Sequence, residues 1–209
     1  MSAIFWDVDT QHDFMDPDGK LYVPGAEQIV PTLKALNDYA HAHGIRVIAS
    51  ADDHVPGHRE LSATPDFRTT FPEHCMRGTE GQRKIAATTL KSPLVIEPES
   101  DATVVGRVRV HDGDLLFHKH WFDVFTNANV VPVLDALKPT RIVLYGVATD
   151  VCDKYAIEGL LEKAPQAEIQ FVVDAGRAIH PDEVDSLLEA WRRRGVRMVT
   201  SAEILAGGA

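Results

Sequence analysis

The chain lacks most of what would stabilise it outside a reducing compartment or hold it to a polyanion. Its 209 residues include only two cysteines, too few for a disulfide framework, which makes a reducing cytoplasm the expected compartment. Basic residues are outnumbered, with 21 Lys and Arg against 31 Asp and Glu, and the formal net charge is −10. No long basic run occurs, which argues against a nucleic-acid or anionic-membrane binder, since both need a positive face. Long apolar runs are missing as well; none approaches the roughly 18–20 residues of a membrane span. The opening Met1-Ser2-Ala3-Ile4 has no basic segment of the kind that starts a secretory signal. Repeats, low-complexity tracts and linkers are absent too, so one domain over residues 1–209 is expected. What is present is ordinary: 44% hydrophobic and 25% charged residues, enough for one well-buried core.

Apolar periodicity supplies the element order. Ala3 to Val8 is a short apolar run ending in a polar cluster, which reads as a buried strand feeding a loop. After Pro24-Gly25, the residues Ile29, Leu33, Leu36 and Tyr39 keep helical spacing until Gly44 closes the helix. Ile45 to Ala49 is the next strand, and Ala51 to Leu90 has little periodicity, as functional or disordered loops do. Strands are expected near Val104 to Val110 and at Leu115 to Phe117, then a helix over Val130 to Leu137. Ile142 to Val147 is the clearest strand. A helix from Asp150 to Lys163, a strand from Ile169 to Val173, a helix through Val184 to Trp191 and a strand at Arg197 to Thr200 complete the pattern. Strands alternating with helices predict a three-layer α/β/α domain with a mostly parallel central sheet and right-handed crossovers.

In such sheets, ligands bind beyond the carboxyl ends of the strands, and the polar clusters lie there. Cys152 sits where a strand runs into a helix, in Gly146-Val147-Ala148-Thr149-Asp150-Val151-Cys152. A helix N-terminus favours thiolate, and nearby N–H groups can hold an oxyanion. A free cysteine is otherwise a small buried hydrophobe. Asp9 ends the first strand and is the candidate general base, with Asp7 and Asp13 as rivals in the same segment. Lys119 is the third partner, a cation able to stabilise thiolate and orient a carboxylate; a lone lysine there would otherwise be surface decoration. Asp52 and His54, two apart on an extended stretch, face the same way. With His74 they form one carboxylate and two imidazoles, a set suited to a zinc- or iron-type ion with open positions. The other reading is a polar loop. His58, four residues after His54, is a spare ligand or a solvated loop histidine.

These clusters, in this order, resemble the isochorismatase-like cysteine hydrolases, and within them the nicotinamidases. Asp9-Thr10-Gln11-His12-Asp13-Phe14 is similar to the family's opening motif, whose first Asp is catalytic. Asp52-Asp53-His54 and the segment Phe71 to Thr79 resemble the metal segments, Gly146 to Cys152 the nucleophile segment, and Lys119 with Phe125 the family lysine and its following aromatic. The resemblance implies an isochorismatase-like, Rossmann-like hydrolase fold. It implies Cys152 as nucleophile, Asp9 as base and later acid, Lys119 as orienting cation, and a cis Val147–Ala148 peptide shaping an oxyanion hole. It also implies a divalent metal ion, zinc first with iron or manganese as alternatives, on Asp52, His54 and His74. Phe14, Phe71 and Trp121 are candidate ring contacts. The expected reaction is hydrolysis of a small carboxamide, nicotinamide to nicotinate and ammonia in NAD salvage, by a homo-oligomeric cytoplasmic enzyme. Asp53 and Phe71 stand where the family commonly has tryptophan, and the stretch from Lys119 to Phe125 is short, as in isochorismatase and other members. The alternative is therefore another family hydrolase, acting on a different small amide, a ureido compound or a vinyl ether. A non-catalytic binding domain is the reading from a different class, and the intact Asp9, Lys119 and Cys152 set counts against it.

Overall fold

A computed structural model describes residues 3–208. Seven strands form one sheet: β1 (Ala3–Val8), β2 (Arg46–Asp52), β3 (Leu94–Ile96), β4 (Leu115–Lys119), β5 (Arg141–Val147), β6 (Glu168–Arg177) and β7 (Arg197–Val199). Their spatial order is β3-β4-β2-β1-β5-β6-β7, and every pairing is parallel. The helices are α1 (His12–Met15), α2 (Ala26–Ala42), α3 (Val104–Val110), α4 (Val130–Leu137), α5 (Cys152–Lys163), α6 (Val184–Arg193) and α7 (Ser201–Glu203). No helix among the described residues is long and apolar enough to cross a membrane.

Parallel pairing requires crossovers, and their shared right hand sorts the helices into layers. The β1-α2-β2 crossover steps one way along the sheet and β5-α5-β6 the other, so α2 and α5 cover opposite faces. Central strands covered on both faces read as unbroken apolar runs. In β1, Phe5 and Trp6 are both fully buried, Phe5 stacking on Tyr39 of α2 and Trp6 on Phe117 of β4. Along α2, Ile29, Leu33 and Leu36 are buried as the spacing predicts, with Ala40 completing the stripe and Tyr39 only half-buried beside it.

Two expectations change at the sheet edge. Val104–Val110 is the helix α3, not a strand. Its Arg107-Val108-Arg109-Val110 alternation imitates a period of two, but only Val104 and Val108, four apart, are buried, while Val110 is 81% exposed. Packing of that one stripe overrides the strand propensity of valine. The edge strand there is Leu94–Ile96, three residues long and too short to show a period. Elsewhere boundaries move: β2 runs on to Asp52, β6 to Arg177, α5 begins at Cys152, and Thr200 caps α7 with its side chain rather than ending a strand.

Register brings the polar residues together. Asp52 and Lys119 are direct neighbours at the carboxyl ends of β2 and β4, and Val8 lies beside both Ser50 and Gly146. At Gly146 (φ +136°) a Cβ would come within 2.1 Å of the Val8 carbonyl oxygen. Glycine therefore lets β5 close on β1 just before the nucleophile segment.

Candidate active site and metal centre

Asp9 leaves β1 in the left-handed region, φ 49°, which aspartate tolerates better than most residues. The turn buries its carboxylate completely, and Ser50 Oγ donates to Oδ1 at 2.7 Å. Lys119 Nζ, also fully buried, lies 2.8 Å from Asp9 Oδ2, 2.5 Å from Asp52 Oδ1 and 3.7 Å from Cys152 Sγ. Asp9, Asp52 and Cys152 place one atom each within 4.8 Å of the others. Three segments far apart in sequence thus meet on one ammonium group. Of the rival carboxylates, Asp7 pairs with Lys84 at 2.8 Å, and Asp13 accepts the N–H of Cys75 at 2.6 Å and of Lys20 at 3.1 Å. Both brace the loop. The Val147–Ala148 peptide is cis.

One cation between two buried carboxylates sets the proton affinities. Burial pushes the Asp9 carboxyl up, Lys119 opposes this, and Asp52 adds to the rise. Burial would raise Asp52 as well, but Lys119, His74 and His54 outweigh it and hold this carboxyl far below the usual range. Burial disfavours charge on Lys119, yet Asp52 and Asp9 keep its pKa well above the ordinary lysine value. Burial raises the Cys152 thiol strongly, and Lys119 offsets only part of that. Burial thus disfavours the thiolate and raises the proton affinity of the carboxylate beside it, the direction that suits base-assisted attack.

The expected metal trio Asp52, His54 and His74 does converge, with all three buried, and a fourth residue joins it. Glu60, 2% exposed, completes the cluster in place of His58. Sequence reasoning missed Glu60 because a glutamate six residues past His54 in an aperiodic loop has no recognisable ligand spacing. Asp52 Oδ2, His54 Nε2, Glu60 Oε2 and His74 Nε2 are all buried without a hydrogen-bond partner. The histidine nitrogens lie 3.8 and 3.5 Å from Asp52 oxygens and 4.0 and 3.6 Å from Glu60 oxygens. Tetrahedral donors at zinc distances stand about 3.4 Å apart, so the set fits a divalent cation after small adjustments. Burial opposes charge on His74, but Asp52 and Glu60 outweigh it and hold its pKa up at about 10, while burial takes His54 down to about 4. The carboxylates draw positive charge to this point.

The supports of the cluster come from both sides. Gln11 clamps the Asp52 backbone, donating to its carbonyl at 2.8 Å and accepting its N–H at 2.7 Å. The His54 segment zips to the His74 segment through His54 N–H to Cys75 O and Arg77 N–H to His54 O. Asp53 seals the join, taking the Arg77 guanidinium and, at 2.6 Å, the Gln82 amide.

A small cavity of about 10 Å³ touches Cys152, Ala148, Asp52 and Glu60. Phe14 and Phe71 line it. Trp121 does not: it faces a separate surface recess with His58, Arg59 and His120, and the Arg59 guanidinium lies 3.9 Å from its ring centre. The structure does not bring Trp121 to this cavity; Leu21, Val23, Val151 and Ile179 are the further apolar walls. A far larger cavity, about 620 Å³, lies at the opposite, amino-terminal ends of the strands around His41 and Asp114. It contains no nucleophile, and size does not outweigh the chemistry gathered at the carboxyl ends.

Residues 4–203 match the isochorismatase domain family. The chain belongs to that family. A nicotinamidase/pyrazinamidase of Mycobacterium tuberculosis is 26% identical over 202 residues, covering 93% of this chain and 97% of the relative. A ureidoacrylate amidohydrolase of Caulobacter segnis is 24% identical over 152 residues, covering 69% of this chain and 60% of the relative. Among solved structures, a pyrazinamidase of Pyrococcus horikoshii in complex with zinc superposes with a TM-score of 0.74 at 22% identity, covering 96% and 99% of the two chains. As an isochorismatase-family hydrolase near the nicotinamidases, the protein has the seven-stranded parallel sheet expected of it.

One buried group in this family member has an energetic signature of its own. Asp153 follows Cys152 in the first turn of α5 and is fully buried. Burial pushes its carboxyl well above the ordinary range, Asp9 adds to the push, and the Thr149 hydroxyl offsets only part of it. A raised folded pKa means that stability is fully present below the unfolded value, near 3.9, and is lost as pH rises toward the folded one. Asp153→Asn removes that loss. Its melting temperature should exceed wild type more at pH 8 than at pH 4, by roughly 2–4 °C per kcal/mol recovered in a chain of this size. Calorimetry at the two pH values checks this; an equal or reversed difference would show that Asp153 ionises freely.

Proposed function

We propose that this protein is a metal-dependent cysteine amidohydrolase whose substrate is a small, neutral, flat carboxamide, with nicotinamide as the first candidate. The observation that carries the substrate class is the cavity wall. Seven apolar side chains surround the Cys152 mouth, the only charged groups on the wall are the carboxylates Asp52 and Glu60, and no cation is among the lining residues. A ureido acid or isochorismate carries a carboxylate, which no lysine or arginine of that wall would pair. A pyridine ring brings none and can pack on Phe14 and Phe71.

In this reading, Asp9 takes the thiol proton as Cys152 Sγ attacks the carboxamide carbon. The N–H groups of Ala148 and Cys152 hold the oxyanion. Collapse breaks the C–N bond, and ammonia leaves with the proton from Asp9. Water then adds to the thioester, giving its proton to Asp9, and the thiolate leaves and is reprotonated from the same carboxylate. Lys119 keeps Asp9 oriented and offsets the charge that develops on sulfur. Asp52, His54, Glu60 and His74 would hold the divalent ion, proposed to be zinc with iron or manganese as alternatives. When bound, the ion would supply a positive charge beside the cavity, with room for water or a ring nitrogen at coordination numbers above four. The cytoplasmic setting, NAD salvage and a homo-oligomeric state belong to the same proposal.

Ammonia release tests it. Nicotinamide should be turned over, and ureidoacrylate and isochorismate left intact. Cleavage of the anionic compounds in preference to nicotinamide would overturn the substrate class. Elemental analysis should find about one divalent ion per chain, falling well below one in His74→Ala and Glu60→Gln. Chelation should raise KM for the pyridine carboxamide more than it slows alkylation of Cys152, because the ion positions the ring and does not generate the nucleophile. A protein isolated without chelator and carrying far less than one ion would demote nicotinamide.

A further inference from the structure

His58 stands beside the metal cluster without belonging to it. Its Nδ1 lies 3.2 Å from Nδ1 of His54, the ring nitrogen that does not face the cluster. Such a contact needs one donor and one acceptor. The N–H of Val55 also donates to His58 Nδ1, at 3.4 Å, so this nitrogen carries the lone pair. His54 Nδ1 is then the N–H, and His54 Nε2 turns its own lone pair toward Asp52 and Glu60. His74 reaches the same tautomer by a different route, its Nδ1–H donating to the Pro72 carbonyl at 2.7 Å.

The ring of His58 is itself held in place. It meets His54 edge-on, with centroids 5.4 Å apart and planes at 71°. It also packs on His120, with centroids 4.3 Å apart. His120 Nε2 in turn lies 3.8 Å from Asp53, which Arg77 anchors. Imidazole by imidazole, the surface recess next to Trp121 thus braces one ligand of the buried cluster.

We propose that His58 is a positioning residue of the metal centre, fixing the tautomer and ring orientation of His54 and so setting the affinity of the site for a divalent cation without ligating it. The inference rests on the metal-centre reading above. Groups that hydrogen-bond the outer nitrogen of a ligating histidine change metal affinity by about 10–100-fold.

The test uses the full chain and zinc itself. Zinc affinity is measured by competition with a chromophoric chelator, and the visible spectrum of the cobalt-loaded protein reports ligand geometry. His58→Leu and His58→Ala, which lack the acceptor, should each bind zinc about 10–100-fold more weakly and shift the cobalt bands. His58→Asn, whose amide oxygen sits near the position of Nδ1, should stay within about threefold of wild type. Zinc binding by wild type with unchanged affinity in the Leu and Ala variants would overturn the role of His58 alone. Loss of one nitrogen from the zinc shell in X-ray absorption of His58→Leu would also overturn it, by making His58 a ligand. Wild type that takes up no zinc would overturn the metal-centre reading and this inference together.

Discussion

Cys152→Ala is expected to abolish amide hydrolysis, by roughly 10⁴-fold or more, the scale on which loss of a covalent nucleophile acts. The fold should survive. Cys152 is a small, 7% exposed residue at the first turn of α5, and alanine keeps the helix and most of the packing. The reason for the loss is geometric: among the described residues no other sulfur or hydroxyl shares the contact with Lys119 Nζ that Cys152 Sγ makes at 3.7 Å. Cys75 is the control. It is fully buried, its N–H is spent on Asp13 and its Sγ approaches the Gly81 carbonyl at 3.7 Å, so its role is to hold the His74 segment. Cys75→Ala should keep most of the activity. Steady-state ammonia release and thermal melts of both variants decide the matter; activity persisting without Cys152, or equal loss from both changes, would sink the assignment.

Asp9→Asn should slow turnover by about 10²–10⁴-fold, the usual worth of a positioned general acid–base. The amide keeps the shape of the carboxylate and the hydrogen bond from Ser50, but it cannot accept the thiol proton. Acylation and deacylation should both slow, because one carboxylate is proposed to serve both; pre-steady-state quenching resolves the two steps. Asp13→Asn is the comparison. Asp13 is committed to backbone N–H groups of Cys75 and Lys20, and its change should act on stability first. If Asp9→Asn runs near the wild-type rate and Asp13→Asn is dead, the base is Asp13.

Much of this architecture is visible along the chain because the signals are local. Strand β1, helix α2, strand β5 and helix α5 each carry their own period and their own stop, and the order in which they alternate dictates a parallel sheet. Asp9, Lys119 and Cys152 stand at strand ends, where a parallel sheet gathers side chains from distant segments, so their meeting follows from topology. Val104–Val110 misled for an equally physical reason. Its alternation of valine and arginine satisfies a strand locally, and only packing against the neighbouring α4 selects the four-residue spacing of Val104 and Val108.

The candidate site divides along the same line. By itself, the sequence determined the chemistry on offer: a thiol before a helix, a carboxylate and a lysine after strands, and an Asp-x-His pair on an extended stretch. These depend on residue type and on periods of two or 3.6, which are local properties. Only the tertiary structure decided which loop groups reach the cluster. Glu60 turns inward and is buried beside His54 and His74, His58 ends one shell further out, and Trp121 leans under Arg59 away from the cavity while Phe14 and Phe71 enter it. The loop from Asp53 to Ile85 has no repeating backbone geometry to aim its side chains. Their directions come from the path that its cross-links impose, Asp53 to Arg77 and Gln11 to Asp52, and no spacing along the chain encodes that path.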